Sequence, residues 1–278
     1  KFGKLGDMTV PVIVSRAVHE VCAAIKVDPC VLDVGSIASA CNFSLNEQGL
    51  LSGLMAMVPG LEGKPVEAVE NACASGGQAI LSVVYKLLLG LGEVGIAVGY
   101  EKMRDAEGRV DGKLIGKVLG YFSHPDERTG KVFVFPHIFA EVMAEYMKEH
   151  RVSEQKLAQI AVEEYANARH NPFAQMRNVE LTPEEAMRIE GINRYIVDGL
   201  PLKTYDCSQI SDGYAALILT TAKGLSRLGL AAKNCVELAG FGQATDRLKK
   251  EGRAVLRPSG AYIAMNRAYQ MARVTAKD

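Results

Sequence analysis

From about Thr9 to Ile25, apolar Val10, Val14, Ala17, Val18, Val21 and Ala24 fall mostly three and four residues apart, which predicts a helix. Val31 to Ile37 is a short β-branched run ending in small residues, the mark of a buried strand. Asn46 to Met57 reads as a second helix, stopped by Pro59-Gly60. Pro65 to Val69 is another short strand candidate. It leads into Gln78 to Leu91, which is apolar on nearly every face and carries Lys86 as its only charge. A helix of that kind belongs in the middle of a fold. Val94 to Gly99 is a third strand. Helix and strand thus alternate over the first hundred or so residues, the pattern of an α/β domain with a largely parallel, covered sheet.

The region from about Met103 to Val132 breaks that alternation. It is rich in Gly, Lys, Asp and Arg, with short apolar pieces such as Leu114 to Val118, and reads as an excursion from the sheet. Helical patterns return at about His137 to His150 and Ser153 to Ala168. The chain then turns at Asn171-Pro172. Gly213 to Thr221 and Cys235 to Gly242 read as strands, and Tyr262 to Ala272 as a helix. No internal repeat occurs.

Composition narrows the function classes. A chain of 278 residues with 48% hydrophobic content is long enough for a sizeable core. Lys plus Arg number 32 and Asp plus Glu number 32, so no basic field gathers nucleic acid. No stretch approaches the roughly 20 apolar residues of a membrane span. Six cysteines, at 22, 30, 41, 73, 207 and 235, form no CxxC pair and no zinc spacing with histidine. Metal binding is not expected, and a reducing, intracellular compartment without disulfides is.

The most informative stretch is Glu70-Asn71-Ala72-Cys73-Ala74-Ser75-Gly76-Gly77, where a short strand delivers a cysteine to the first turn of an apolar helix. Helix N-termini carry unsatisfied N–H groups and partial positive charge, both of which favour the reactive thiolate. Gly76-Gly77 opens a helix at a cost of about 1 kcal/mol per glycine against alanine, which invites a functional explanation. Against this stands the plainer reading, since most cysteines beside apolar runs are packing residues.

The stretch Asn71 to Gly77 resembles the CxS nucleophile motif of thiolases, in the form found in the sterol-carrier-protein-2 subgroup. Further blocks follow in the family's order. Gly99-Tyr100-Glu101-Lys102-Met103 resembles Gly-x-Glu-Lys-Met, and Phe135 to Glu141 resembles the stretch that lines the thiolase acyl pocket. Asn171 to Gln175, Asp206 to Gly213 and Gly240 to Asp246 are similar to three more subgroup signatures.

The resemblance implies a layered α/β fold with a mostly parallel mixed sheet, helices on both faces and an inserted loop domain. It divides the chain into an N-terminal thiolase domain begun over residues 1–102 and completed over 206–257, a loop domain with its connecting helices over 103–205, and the opening of a C-terminal domain over 258–278. It implies Cys73 as the nucleophile and Phe135, Pro136, His137 and Phe139 as substrate-binding residues. The reaction would be cleavage of a 3-ketoacyl-CoA by coenzyme A, or the reverse Claisen condensation. Coenzyme A enters as substrate, with no other cofactor. Pairing through the N-terminal half implies a homodimer, and a eukaryotic source would place it in mitochondria or peroxisomes.

Two further readings stay open: a thioester hydrolase, and a non-catalytic thiolase-like protein that binds acyl-CoA or lipid. Thiolase chemistry also needs a base and an acid. The family draws these from His-Asp, Gly-His-Pro and Cys-x-Gly segments, and none occurs here; Ser123-His124-Pro125 is the nearest approach. These residues alone are therefore expected not to complete a cycle.

Several other signals carry less. Gly90-Leu91-Gly92-Glu93-Val94-Gly95 matches GxGxxG, yet it closes a helix and opens a strand, so it is a turn. His137 beside apolar residues is read first as a rim residue, and Cys207 as packing. Charges between Arg104 and Lys131 are either a solvated loop or contacts to coenzyme A phosphates.

Overall fold

A computed structural model describes residues 2–278. In chain order the elements are α1 (Val10–Ala24), β1 (Val34–Ala38), α2 (Asn42–Asn46), α3 (Leu51–Ala56), β2 (Val66–Val69), α4 (Ser75–Leu88), β3 (Val94–Glu101), α5 (Gly112–Gly120), α6 (Val134–His150), α7 (Glu154–His170), α8 (Pro183–Met187), β4 (Gly213–Thr220), α9 (Ala222–Arg227) and α10 (Ser259–Ala272). They fall into two compact units. The first comprises Lys1–Val118, Asn171–Arg177 and Gln209–Asn234; the second comprises Leu119–His170, Asn178–Ser208 and Cys235–Asp278.

The first unit holds a mixed sheet of order β2-β1-β3-β4. β1 pairs in parallel with both β2 and β3, and β4 runs antiparallel to β3. The α/β class expected from the alternating pattern is what forms. Every residue of β1 is buried, as a central parallel strand covered on both faces requires.

One face carries Ile37, Ile96, Val98 and Tyr100 against α1 and α3, and the other carries Val34, Ala38 and Ala97 against Ala79 and Val83 of α4. Helix α1 buries Val10, Ile13, Val14, Ala17 and Val18, spaced as one helical stripe. On the α4 face, Gly95 permits close approach: a Cβ there would stand 2.4 Å from Val83 Cγ1.

Three expectations from the sequence change. Of the helix expected over Asn46 to Met57 only Leu51–Ala56 forms, Asn46 instead ending α2, and between the two Glu47 and Leu50 take the left-handed conformation at φ 53° and 47°. The cause is Asn42, whose buried side chain donates to the Gln48 carbonyl and accepts from the Tyr100 hydroxyl. It draws the chain inward before the helix can continue. Helix α4, expected to be covered all round, buries Ser75, Ala79, Val83 and Val84 and leaves Leu88 71% exposed. Its apolar residues fill one sheet-facing stripe and part of an open face.

The third change concerns Cys235 to Gly242, which joins no sheet and belongs to the second unit. β-propensity makes a strand only where a neighbouring strand accepts its ladder. Here Gly240 and Gly242 lie directly on α10 instead, where added Cβ atoms would come 2.3 Å from the Ala268 carbonyl oxygen and 1.9 Å from that of Ala264. The second unit is otherwise helical, built on α6, α7, α8 and α10.

Candidate active site

Because β1, β2 and β3 run parallel, their C-terminal ends lie along one edge of the sheet. Open α/β sheets bind ligands at that edge. Three segments leave it here: Ser39 to Asn42 after β1, Glu70 to Ala74 after β2, and Glu101 closing β3.

Cys73 lies in a 3-10 turn, Ala72–Ala74, immediately ahead of α4, and its side chain is exposed. The residue before it, Ala72, is held at φ 45°. A left-handed non-glycine residue costs roughly 1–2 kcal/mol, and such strain persists only where surrounding contacts hold it.

Ser75 supplies that hold. It is buried, and its Oγ accepts from the Asn71 N–H at 2.8 Å and donates to the Ala72 carbonyl at 2.6 Å. The Ala74 N–H donates to the Asn71 carbonyl at 2.9 Å, and the Ala72 N–H donates to the Glu70 carboxylate. Beyond the turn, Gly76 and Gly77 face open space, with nothing within 4 Å of an added Cβ. Packing does not demand glycine at either position. Their bareness leaves the backbone of the first turn of α4 reachable.

Glu101 closes β3 at the same edge of the sheet. Its carboxylate accepts from the Ser39 hydroxyl at 3.1 Å and from the N–H groups of Ala40 and Cys41, tying the end of β3 to the loop after β1. Burial pushes its pKa up, against those donors. Cys41 on the same loop is 1% exposed, and burial followed by the Glu101 charge pushes its thiol up to about 12. Two cysteines therefore share this edge, one open and one inert. Sequence reasoning quoted Glu101 only as part of a motif. The available signal was a carboxylate closing an otherwise apolar strand.

The other sequence-predicted site residues lie in the second unit, on the first turns of α6. Phe135, Pro136 and His137 are half-buried there, and Phe139 is 60% exposed. His137 Nε2 is 3.3 Å from Glu141 Oε1, and Lys250 Nζ is 2.9 Å from Glu141 Oε2. Burial opposes ionisation of Glu141, yet Lys250, Lys131 and His137 together hold its carboxyl below the ordinary value.

The four residues do not converge. Phe139 lines a cavity of about 650 Å³ within this unit, together with residues of α6, α7 and the segment Leu202 to Ser208, while Phe135, Pro136 and His137 are not among its walls. Cys207 is one wall, its thiol raised by burial and then by the Asp206 charge.

The segment 90–95 is the expected turn between α4 and β3, with Gly90 at φ 73°. Among the described residues no three His, Cys, Asp or Glu side chains gather as a metal site would require, and no helix is long and apolar enough to cross a membrane.

Comparison with known proteins extends this picture. The thiolase N-terminal domain profile matches residues 1–223. An acetyl-CoA acetyltransferase of Methanothermobacter thermautotrophicus is 29% identical over 281 aligned positions, spanning all of this chain and 69% of that protein. Sterol carrier protein 2 of Oryctolagus cuniculus is 28% identical over 67% of this chain and 33% of its own length. Among solved structures, an Ltp2-ChsH2(DUF35) aldolase superposes with a TM-score of 0.72 at 18% identity, covering 100% of this chain and 68% of that one. Human mitochondrial 3-ketoacyl-CoA thiolase gives 0.70 at 16%, covering 100% and 76%. At those identities the structural likeness carries the fold.

Proposed function

Because this chain belongs to the thiolase N-terminal domain family, we propose that it carries the nucleophile of an acyl-CoA acyltransferase, and that Cys73 takes the acyl group. The observation behind this is the exposed Cys73 thiol, presented on a strained turn that Ser75 holds from behind.

In the cleavage direction the Cys73 sulfur attacks the 3-keto carbonyl of a 3-ketoacyl-CoA. The bond between C2 and C3 breaks, the electron pair leaves as the enolate of acetyl-CoA, and a proton delivered to C2 completes that product. The sulfur of a second coenzyme A then attacks the Cys73 thioester, and the cysteine leaves as thiolate. Condensation is the same sequence reversed. Gly76 and Gly77 let the reacting thioester approach the backbone N–H groups that open α4, donors suited to an oxygen gaining charge.

Phe135, Pro136, His137 and Phe139 are proposed to contact the substrate. Assembly as a homodimer and an intracellular setting complete the reading.

The test is intact-mass measurement of the protein after incubation with acetoacetyl-CoA. The expected result is an acetyl adduct that disappears in Cys73→Ala. Release of free acid without added coenzyme A would instead make the protein a thioester hydrolase.

A second reading draws on the relatives named sterol carrier protein 2. In it the protein binds acyl-CoA or lipid without transferring anything. Folded protein that binds acyl-CoA and never forms the adduct would establish that reading and dismiss acyl transfer.

A further inference from the structure

Between Asp246 and α10 the second unit carries a loop with no helix or strand of its own. Its two ends are pinned together, since the Asp246 carboxylate accepts from the Ser259 hydroxyl at 2.9 Å and from the Gly260 N–H at 3.0 Å. No residue from Asp246 to Ser259 is buried. The backbone bonds within the loop are local turns, from the Arg253 N–H to the Lys250 carbonyl and from the Arg257 N–H to the Ala254 carbonyl. Val255 and Leu256, both partly exposed, supply one wall of the cavity of about 650 Å³ in this unit. So shallow a burial gives the loop little apolar hold.

Charge supplies the hold instead. Glu141, Glu145 and Glu149 stand one turn apart on a single stripe of α6. Lys250 Nζ lies 2.9 Å from both Glu141 and Glu145, and Arg257 lies 3.5 Å from Glu149. Lys249 pairs with Asp126 at 3.1 Å, and the Lys250 N–H donates to the Glu127 carboxylate at 2.8 Å. Ion pairs this exposed are individually weak and are screened by salt. They are also cheap to open. When Lys250 leaves, Glu141 keeps His137 at 3.3 Å and Lys131 at 3.6 Å on its other oxygen. Release therefore strands no carboxylate without a partner, the cost that makes other ion pairs hard to break.

We propose that residues 247–258 form an electrostatic strap, latched onto α6 by these ion pairs and swinging about the pin at Asp246, which controls entry to the cavity behind Val255 and Leu256. The strap sets how fast an apolar molecule enters and not which molecule does. It requires nothing of Cys73, so it stands or falls independently of acyl transfer.

The experiment follows hydrogen exchange by peptide mass, and the entry rate of Nile red, an uncharged apolar dye, in the full chain. Sodium chloride is raised from about 20 mM to about 500 mM, which cuts the screening length from roughly 20 Å to roughly 4 Å. Exchange over residues 247–257 is expected to quicken about fivefold while that of α7 stays constant, and dye entry is expected to quicken by a similar factor. Lys250→Met, which removes two of the ion pairs, is expected to show the fast values already at low salt and to lose most of the salt response. Lys250→Arg keeps the charge and is expected to behave as the unaltered protein. Lys156→Met, which removes an exposed lysine of α7 instead, should change neither rate.

Exchange and dye entry that ignore salt overturn the proposal. A loop that loosens while dye entry stays constant also overturns it, because the release then opens nothing, and so does dye that enters at no salt concentration. A full salt response surviving in Lys250→Met would place its origin outside the latch and has the same consequence.

Discussion

The two faces of the central sheet are built on different plans. On the face toward α1 and α3, β3 presents Ile96, Val98 and Tyr100, and large side chains interdigitate. On the face toward α4 the same strand presents Gly95, Ala97 and Gly99, and the helix sits almost on the backbone. The first face is a conventional core. The second is a seat, because close approach fixes where α4 begins and therefore where the turn bearing Cys73 stands. The contrast teaches that two equally buried faces can be built differently, and that the side that gives up volume is the side that positions Cys73.

The comparison sharpens first at the two cysteines beside that edge. A thiol pushed up to about 12 leaves Cys41 on the order of one part in ten thousand thiolate at pH 8. Iodoacetamide followed by peptide mass mapping is expected to label exposed Cys73 within minutes and Cys41 only after unfolding. Equal labelling in the folded protein would remove the distinction.

Substitutions then separate the faces. Ile96→Ala opens a cavity on the large-residue face and is expected to cost about 3 kcal/mol in urea unfolding. The alkylation rate of Cys73 in the folded protein should not change. Gly95→Val drives a side chain into Val83 and Val34 and is expected to cost about 2 kcal/mol. Here Cys73 reactivity should change as well, since the seat of α4 is displaced. If both substitutions altered Cys73 alike, the two faces would not be functionally distinct.

Smaller still is Ser75→Ala, which removes two hydrogen bonds of the turn and is expected to cost about 1 kcal/mol. Its diagnostic effect is slower acylation of Cys73 by acetoacetyl-CoA, beyond the loss of folded protein.

The least effect is expected from pH. Burial raises Glu101 above the ordinary carboxyl value of 4.5, so the folded protein holds this proton longer than the unfolded chain. Its contribution to stability is complete below 4.5 and is lost as pH rises through the raised native value. In Glu101→Gln the urea midpoint should no longer carry that fall, and the difference between the two proteins across this window measures it. A parallel pair of curves would show that Glu101 ionises in the folded state as it does in the unfolded.

Much of this architecture was legible along the chain. The unbroken apolar run of β1, the stripe of α1 and the apolar-to-small transition into Cys73 are local patterns, and local patterns survive folding. What misled were segments whose fate depends on a distant partner. The helix expected over Asn46 to Met57 breaks because buried Asn42 reaches both the Gln48 carbonyl and Tyr100, 58 residues away. The apolar stretch of α4 states that its surface is hydrophobic and cannot state which neighbours cover it; Leu88 and Leu89 stay exposed. Cys235 to Gly242 has strand propensity and joins no sheet among the described residues, its glycines lying on α10 instead.

The candidate site divides in the same way. Residue order alone set Cys73 at a strand-to-helix turn, and with it the kinship that suggested acyl transfer, because a nucleophile motif is contiguous and needs only its own backbone. The strain at Ala72 and the clasp of Ser75 are made within residues 70–75, whereas the inert Cys41 and the brace of Glu101 arise only when the ends of β1 and β3 are brought together. The cavity of the second unit has no contiguous signature at all. Its walls come from two helices and two irregular segments more than a hundred residues apart in the chain, from Phe139 to Leu256, and only packing could gather them.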